Sequence, residues 1–198
     1  MELHRDDTAS KLGMWLFIFT ELLLFGGLFI VYSVFRYKNS QAFHLAAEEL
    51  DTFIGTVNTV ILLISSMTIA MSVTAIQKKN KKLTLILLSI TQVLALAFMV
   101  NKYFEWGAKI EHGLFPGSSS LADLGHGDVL FFGLYFAMTG LHAFHIIVGM
   151  IFIGWIMVYV AKDKQSHDNY ALLENSGLYW HLVDLIWIFL FPLFYLII

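Results

Sequence analysis

The chain has 198 residues, of which 58% are hydrophobic and 14% are charged, and its formal net charge is −3. A soluble domain usually carries about 25% charged residues, so a water-soluble fold of this size could not bury so much apolar surface, and the short lysine clusters between apolar runs give no sign of nucleic-acid binding. The sequence contains no cysteine, which excludes disulfides, cysteine-ligated iron–sulfur clusters, covalently attached c-type haem and thiolate copper centres.

The first predicted element is a retained membrane span rather than a signal peptide. Residues 1–11 are polar, and the apolar run that follows, 12–35, is 24 residues long. A signal-peptide core is about 7–15 residues, whereas a helix that crosses a bilayer needs about 20.

Five segments in all have the length and composition of membrane spans, which predicts an all-α integral membrane bundle. The loops between them are polar and too short for a globular domain, so residues 1–198 are predicted to form a single domain of five transmembrane helices. The predicted spans are 12–35, 53–76, 83–104, 129–160 and 178–198.

The placement of lysine and arginine predicts the orientation of the chain. Eight of these residues fall on the side of the N-terminus: Arg5, Lys11, Lys78, Lys79, Lys81, Lys82, Lys162 and Lys164. The other four fall on the opposite side: Arg36, Lys38, Lys102 and Lys109. Cytoplasmic loops are enriched in these residues, so the N-terminus is predicted in the cytoplasm and the C-terminus outside.

Glu21 is the most unusual residue of the first span, because it lies near the middle of an apolar run. An ionisable side chain at membrane depth costs roughly 2.5–3.5 kcal/mol on insertion scales, and no residue one turn away can pair with it. Burial favours the neutral acid. Glu21 is therefore either a proton-active or lipid-contacting carboxyl group, or a protonated acid hydrogen-bonded to another helix.

Two pairs of polar residues lie three positions apart, so each pair shares a helix face. His142 and His145 could ligate a metal or haem, but interhelical hydrogen bonding is favoured, because the one further candidate ligand, His181, is placed near the cytoplasmic end of span five. In the second pair, Asp184 can fix the tautomer of His181, or the two can form a polar clamp between helices. The remaining polar candidates are Asn58 and, at the border of span three, Asn101, Lys102 and Glu105.

Read in order, these segments resemble subunit III of the haem–copper terminal oxidases over nearly the whole chain. Span one carries a carboxylate before an aromatic, glycine-containing run at 15–27, span two an Asn-Thr pair followed by Ser-Ser, and span three ends in Glu-Trp. Two motifs are specific. Residues 139–145 read Thr-Gly-Leu-His-Ala-Phe-His, and residues 179–187 read Tyr-Trp-His-Leu-Val-Asp-Leu-Ile-Trp.

The resemblance implies an accessory, redox-silent subunit with no catalytic centre or metal of its own. Haem and copper are expected in partner subunits, above all in subunit I, which reduces oxygen and pumps protons, and in subunit II. Phospholipid is expected in a cleft of the chain, with Glu21 facing that cleft near a histidine of span four. Asn58, Glu105, His142, His145, His181 and Asp184 are expected to be polar interhelical residues. Longer relatives have seven helices, and this chain matches the last five, as a short form of the bacterial inner membrane.

Several alternatives remain open at this stage. Glu at position 21 favours the cytochrome c oxidase branch, while subunit III of a quinol oxidase and the accessory subunit of nitric oxide reductase share the pattern. Outside the family, a membrane b-type cytochrome is the main competitor. A small transporter fits less well, because the sequence shows no internal repeat.

Overall fold

The structure, a computed structural model, describes residues 7–163 and 169–197, and most of these residues lie in α-helices. Within these ranges the helices are α1 (Asp7–Lys38), α2 (Ser40–Glu48), α3 (Thr52–Gln77), α4 (Lys81–Glu111), α5 (Ser119–Leu124), α6 (His126–Ala161) and α7 (Ala171–Tyr195).

The five long helices, α1, α3, α4, α6 and α7, are each long and apolar enough to cross a membrane, which confirms the predicted number of spans. Several helices extend beyond the predicted limits: α4 continues to Glu111, and α7 begins at Ala171 rather than at 178. At about 1.5 Å per residue, the 36 residues of α6 form a helix that is longer than the roughly 30 Å thickness of a bilayer core. The predicted end of span five at Ile198 lies outside the described residues.

The early start of α7 places His181 further along its helix than the predicted span did. That residue is the eleventh of 25 in the helix. The span was predicted to start later because Asn175 and Ser176, which are buried, interrupt the apolar run. Asn175 donates a hydrogen bond to Ser10 Oγ at 2.9 Å, and this bond links α7 to α1.

The short helices α2 and α5 were not predicted, because the loops that contain them read as polar. α2 carries an apolar face, with Phe43, Ala46 and Ala47 buried, and Phe43 packs edge-on against Phe131 of α6 with ring centroids 5.4 Å apart. α5 is capped by the preceding Ser118, whose hydroxyl accepts from Leu121 N at 3.2 Å, as an N-cap does. Both helices cover the end of the bundle at which α6 begins.

The core of the molecule lies between α3, α4, α6 and α7. Trp180 and Trp187 of α7 are buried and donate their indole N–H groups to Ser65 Oγ and Thr59 Oγ1 of α3, each at 3.0 Å. α1 packs along α6 and α7 from one side, with Phe17 stacked on Tyr179 at 5.8 Å. Only 6% of the apolar window of α1 is buried, compared with 56% in α7, so most of α1 faces outward.

Gly149 lies at a close contact between α6 and α7. A Cβ atom there would lie 2.8 Å from Trp180 Cζ3 and 3.0 Å from Tyr179 Cε1. Both rings belong to buried side chains and cannot move aside freely. Small residues allow this kind of close helix packing in membranes.

Gly149→Ala is therefore expected to destabilise the chain by about 1–3 kcal/mol, the usual cost of overpacking. Gly133→Ala in the same helix is the matched control, because a Cβ there meets no atom within 4 Å and alanine favours the helix. The free energy of unfolding in mixed micelles is the measurement. Equal stability of the two variants would show that the α6–α7 contact is not tight.

Candidate functional site

Glu21 of α1 and His145 of α6 face each other within the membrane-spanning part of the chain. Glu21 Oε2 lies 3.0 Å from His145 Nε2, and the two side chains are 14% and 9% exposed. The atoms are at ion-pair distance, but Glu21 Oε2 makes no aligned hydrogen bond. The edge of the His145 ring packs against Phe25 with centroids 5.5 Å apart.

The hydrogen bonds of His145 define what this pair can do chemically. Its Nδ1 lies 2.8 Å from the carbonyl oxygen of Leu141, and because a carbonyl only accepts, Nδ1 is the donor. Nε2 of the neutral ring then carries a lone pair, so a hydrogen bond to Glu21 requires one shared proton. That proton can lie on the carboxyl group or on the imidazole ring.

A second cluster joins α3 and α7 through Ser66. Ser66 Oγ lies 2.6 Å from His181 Nδ1. Asp184 is 6% exposed, and its Oδ1 has no hydrogen-bond partner. His181 of α7 is thus hydrogen-bonded to a serine of the neighbouring helix.

A third cluster is centred on Lys102 and Glu105 of α4, which are 1% and 5% exposed. Lys102 Nζ donates to Glu105 Oε2 at 3.1 Å, to Tyr135 OH at 3.0 Å and to Tyr195 OH at 2.8 Å. Tyr135 OH and Tyr195 OH both donate to Glu105 Oε1. Each of the three ammonium protons has an acceptor, and each carboxylate oxygen has a donor.

Aromatic rings enclose the same ammonium group. Lys102 Nζ lies 5.0–5.9 Å from the ring centroids of Tyr135, Trp187, Tyr195 and Trp106, within the range of cation–π attraction. The sequence placed Lys102 in a border group and Glu105 among the interhelical residues, but it did not predict the tyrosines. The available signal was an acid and a base three positions apart inside a long apolar helix.

His142 and Asn58 lie at the centre of the bundle and are fully buried. The His142 ring stacks on Trp187 at 5.2 Å and meets Phe98 edge-on at 5.8 Å, and neither ring nitrogen has a hydrogen-bond partner. Asn58 Oδ1 accepts from Asn101 Nδ2 at 2.8 Å. His142 and His145 therefore contact different groups, and no three His, Cys, Asp or Glu side chains in the described part of the chain are placed to hold a metal ion together.

Comparison with known proteins gives a consistent result over almost the full length. The sequence profile of the family described as Cytochrome c oxidase subunit III matches residues 6–197. A protein of Thermostichus vulcanus named Cytochrome c oxidase subunit 3 is 30% identical over 200 residues, covering 98% of this chain and 90% of that protein.

Two further relatives carry different names. A protein of Staphylococcus saprophyticus named Probable quinol oxidase subunit 3 is 29% identical over 192 residues, covering 97% of this chain and 90% of that protein. A protein of Aeropyrum pernix named Heme-copper oxidase subunit I+III is also 29% identical over 192 residues, covering 93% of this chain and 22% of that longer protein.

Proposed function

Since the chain belongs to the cytochrome c oxidase subunit III family, we propose that it is the accessory, redox-silent subunit of a proton-pumping haem–copper terminal oxidase. The family match over residues 6–197 is the observation that carries this proposal. Oxygen is reduced at haem and copper held by partner subunits, and this chain supports that reaction without holding a redox centre. Its part is to stabilise the catalytic subunit and to keep the complex active during turnover.

Subunit I is the proposed main partner, with subunit II in the same complex. The Aeropyrum pernix relative is named as subunit I+III, and joining two subunits in one chain is compatible with their lying side by side. The many exposed apolar side chains of the long helices leave ample surface for such a partner and for lipid.

Phospholipid is proposed to bind beside Glu21, in the surface where α1 lies against α6. Large apolar side chains on both helices are exposed there, among them Leu24 of α1 and Phe144 and Val148 of α6. They offer contacts for acyl chains, while the Glu21–His145 pair supplies a polar group beside them.

The proposed location is the bacterial cytoplasmic membrane, with the N-terminus in the cytoplasm. Eight of twelve Lys and Arg residues lie on that side. Two of the other four support this bias further, because they do not act as loop charges: Lys102 is 1% exposed inside α4, and Lys109 is 9% exposed and donates to the carbonyl oxygen of Glu49.

The cytochrome c branch is the proposed electron-donor class, and the quinol branch is the second candidate. The relative from Thermostichus vulcanus is named as the first and that from Staphylococcus saprophyticus as the second, at nearly equal identity. Assay of the purified complex with reduced cytochrome c and with a quinol separates them. Oxidation of quinol alone would assign this chain to the second branch.

The proposed function is tested by removing the chain from its own oxidase. The complex without it is expected to keep most of its initial rate of oxygen reduction, because the redox centres lie elsewhere, but to lose activity after several-fold fewer turnovers. Adding the purified chain back should restore the lifetime. Loss of all initial activity would place a reacting group in this chain, and an unchanged lifetime would contradict the supporting role.

Glu21→Leu is expected to shorten the turnover lifetime of the complex toward that of the complex lacking the chain. The change leaves His145 Nε2 without its partner, which costs about 1–3 kcal/mol and is compatible with assembly. Glu48→Leu is the matched control, because the Glu48 side chain is 65% exposed and lies 3.8 Å from His44 at the end of the bundle. A lifetime unaffected by Glu21→Leu in a fully assembled complex would remove Glu21 from the proposed function.

A further inference from the structure

Tyr135 of α6 and Tyr195 of α7, called here the tyrosine pair, differ from the other buried tyrosines of the described chain in their hydrogen-bond acceptor. Both phenols of the pair donate to Glu105 Oε1, and both side chains are at most 2% exposed. Tyr32 and Tyr179 are also buried, but they donate to backbone carbonyl oxygens. A carboxylate can take up the phenol proton, whereas a carbonyl oxygen only accepts a hydrogen bond.

This difference decides which tyrosine can lose an electron. A phenol that loses an electron but keeps its proton becomes a strongly acidic radical cation, so its oxidation is difficult unless a base receives the proton. When Tyr135 is oxidised, its proton can pass along the existing hydrogen bond to Glu105. The phenol O–H bond breaks, an O–H bond forms on the carboxyl group, and the products are a neutral phenoxyl radical and a neutral carboxylic acid.

The charge that this step leaves behind is the ammonium group of Lys102. Lys102 Nζ donates to the oxygen atoms of Tyr135 and Tyr195 at 3.0 and 2.8 Å, and a phenoxyl oxygen still accepts such a bond. Four aromatic ring centroids lie 5.0–5.9 Å from the same nitrogen atom. Cation–π attraction is strongest in a desolvated site, so the rings stabilise the cation after Glu105 is neutralised.

Two tryptophans next to the tyrosine pair can pass on an electron, but neither has a base that would take up its indole proton. Trp106 and Trp187 have ring centroids 5.9 and 5.4 Å from Lys102 Nζ. The Trp106 N–H group finds no acceptor among the described residues, and the Trp187 N–H group donates to a threonine hydroxyl, which is a poor base. Trp106 is only partly buried, so it forms the outer end of a path to the tyrosine pair.

We propose that the tyrosine pair is a one-electron donor that reduces oxidising radicals through Trp106, with Glu105 as the proton acceptor. The oxidant is a radical formed by incomplete reduction of oxygen, such as the hydroxyl radical, which one electron converts to hydroxide. An electron from a small-molecule reductant, together with the proton held by Glu105, restores the tyrosine. The pair takes no part in the reduction of oxygen at haem and copper.

The use of this chemistry in the cell rests on the proposed function, because an oxygen-reducing partner is the source of such radicals. Removal of radicals inside the complex supplies a chemical reason for a longer turnover lifetime. The radical chemistry itself belongs to this chain and is tested without any partner.

Pulse radiolysis of the purified chain in micelles tests the electron donor. Azide radicals oxidise tryptophan and tyrosine by one electron, and transient absorbance and electron paramagnetic resonance follow the products. The unmodified chain is expected to form a tryptophan radical that converts to a long-lived tyrosyl radical, shielded by burial. The double variant Tyr135→Phe with Tyr195→Phe should lower the yield of the long-lived radical several-fold. Tyr32→Phe makes the same change at a buried tyrosine whose acceptor is a carbonyl oxygen and should leave the yield unchanged.

Equal yields from these three chains would overturn the proposal. Each single variant, Tyr135→Phe or Tyr195→Phe, leaves one phenol donor on Glu105 and should retain part of the yield, so the test does not depend on the folding of the double variant. Lys102→Met with Glu105→Gln keeps both phenols and removes the proton acceptor, and it should lower the yield as the tyrosine double variant does. A full yield from that chain would contradict the role of Glu105.

Turnover lifetime in the assembled oxidase tests the use of the tyrosine pair. The Tyr135→Phe, Tyr195→Phe complex is expected to inactivate after fewer turnovers than the Tyr32→Phe complex at an equal initial rate. Equal lifetimes would overturn the protective use. If the unmodified chain does not assemble with an oxidase, the proposed function fails, while the radical yields of the purified chain still decide the chemistry.

Discussion

Lys102→Met is expected to destabilise the chain by about 3–5 kcal/mol, because it leaves the Glu105 carboxylate as an uncompensated buried charge. Both side chains are almost fully enclosed, so water cannot replace the lost ammonium group. The two tyrosines retain their hydrogen bonds to Glu105 Oε1, but Oε2 loses the one donor that the described residues supply to it. The free energy of unfolding in mixed micelles measures the effect.

The double variant Lys102→Met with Glu105→Gln is the control for this prediction. It removes the acid together with the base, and the glutamine oxygen still accepts from the two tyrosines. Replacing a whole buried ion pair is far less costly than breaking it, so the double variant should recover at least half of the lost stability. A single variant as stable as the parent, or a double variant no better than the single one, would show that the pair is not a buried ionic clamp.

Trp187→Ala is also expected to have a large effect, lowering the free energy of unfolding by about 3–5 kcal/mol. The Trp187 ring is fully buried and contacts three helices: it donates to Thr59 of α3 at 3.0 Å, meets Phe98 of α4 at 4.9 Å and stacks on His142 of α6 at 5.2 Å. Its removal leaves a cavity and also removes one aromatic ring near Lys102.

Trp155→Ala makes the same chemical change at a site that is 49% exposed and serves as the matched control. The side chain of Trp155 contacts Tyr159 and Phe152 of its own helix, so its loss is expected to cost well under half as much as the loss of Trp187. Unfolding of the two variants is compared in the same micelles. Similar costs would mean that α7 is not anchored in the core through Trp187.

The number of spans could be predicted from the sequence, because an apolar run of about 20 residues is typical of a membrane-spanning helix. The limits of the spans were less predictable where polar residues are buried by tertiary contacts. Asn175 and Lys102 read as loop or border residues, but both are buried inside helices, where Asn175 donates to Ser10 Oγ and Lys102 donates to Glu105. A hydropathy scale scores each side chain by its own polarity. It takes no account of the hydrogen-bond partner that the side chain has in the folded protein.

The residues of the candidate site could also be predicted only in part from the sequence. Glu21, His145, His181 and Asp184 stood out because ionisable groups are rare at membrane depth, but their partners depend on how the helices pack. Nothing in the spacing indicated that Ser66 would hydrogen-bond to His181, or that the His142 ring would stack on Trp187. The tyrosines around Lys102 come from α6 and α7, more than 30 positions away along the chain.

Purification of the native complex through this chain, followed by optical spectra and mass analysis, tests the central claim most directly. The account predicts that a haem- and copper-containing subunit I copurifies with the chain, that the complex shows haem absorbance, and that the chain separated from its partners is colourless. Isolation of the chain without haem–copper subunits, or a Soret band that stays with the separated chain, would contradict the account.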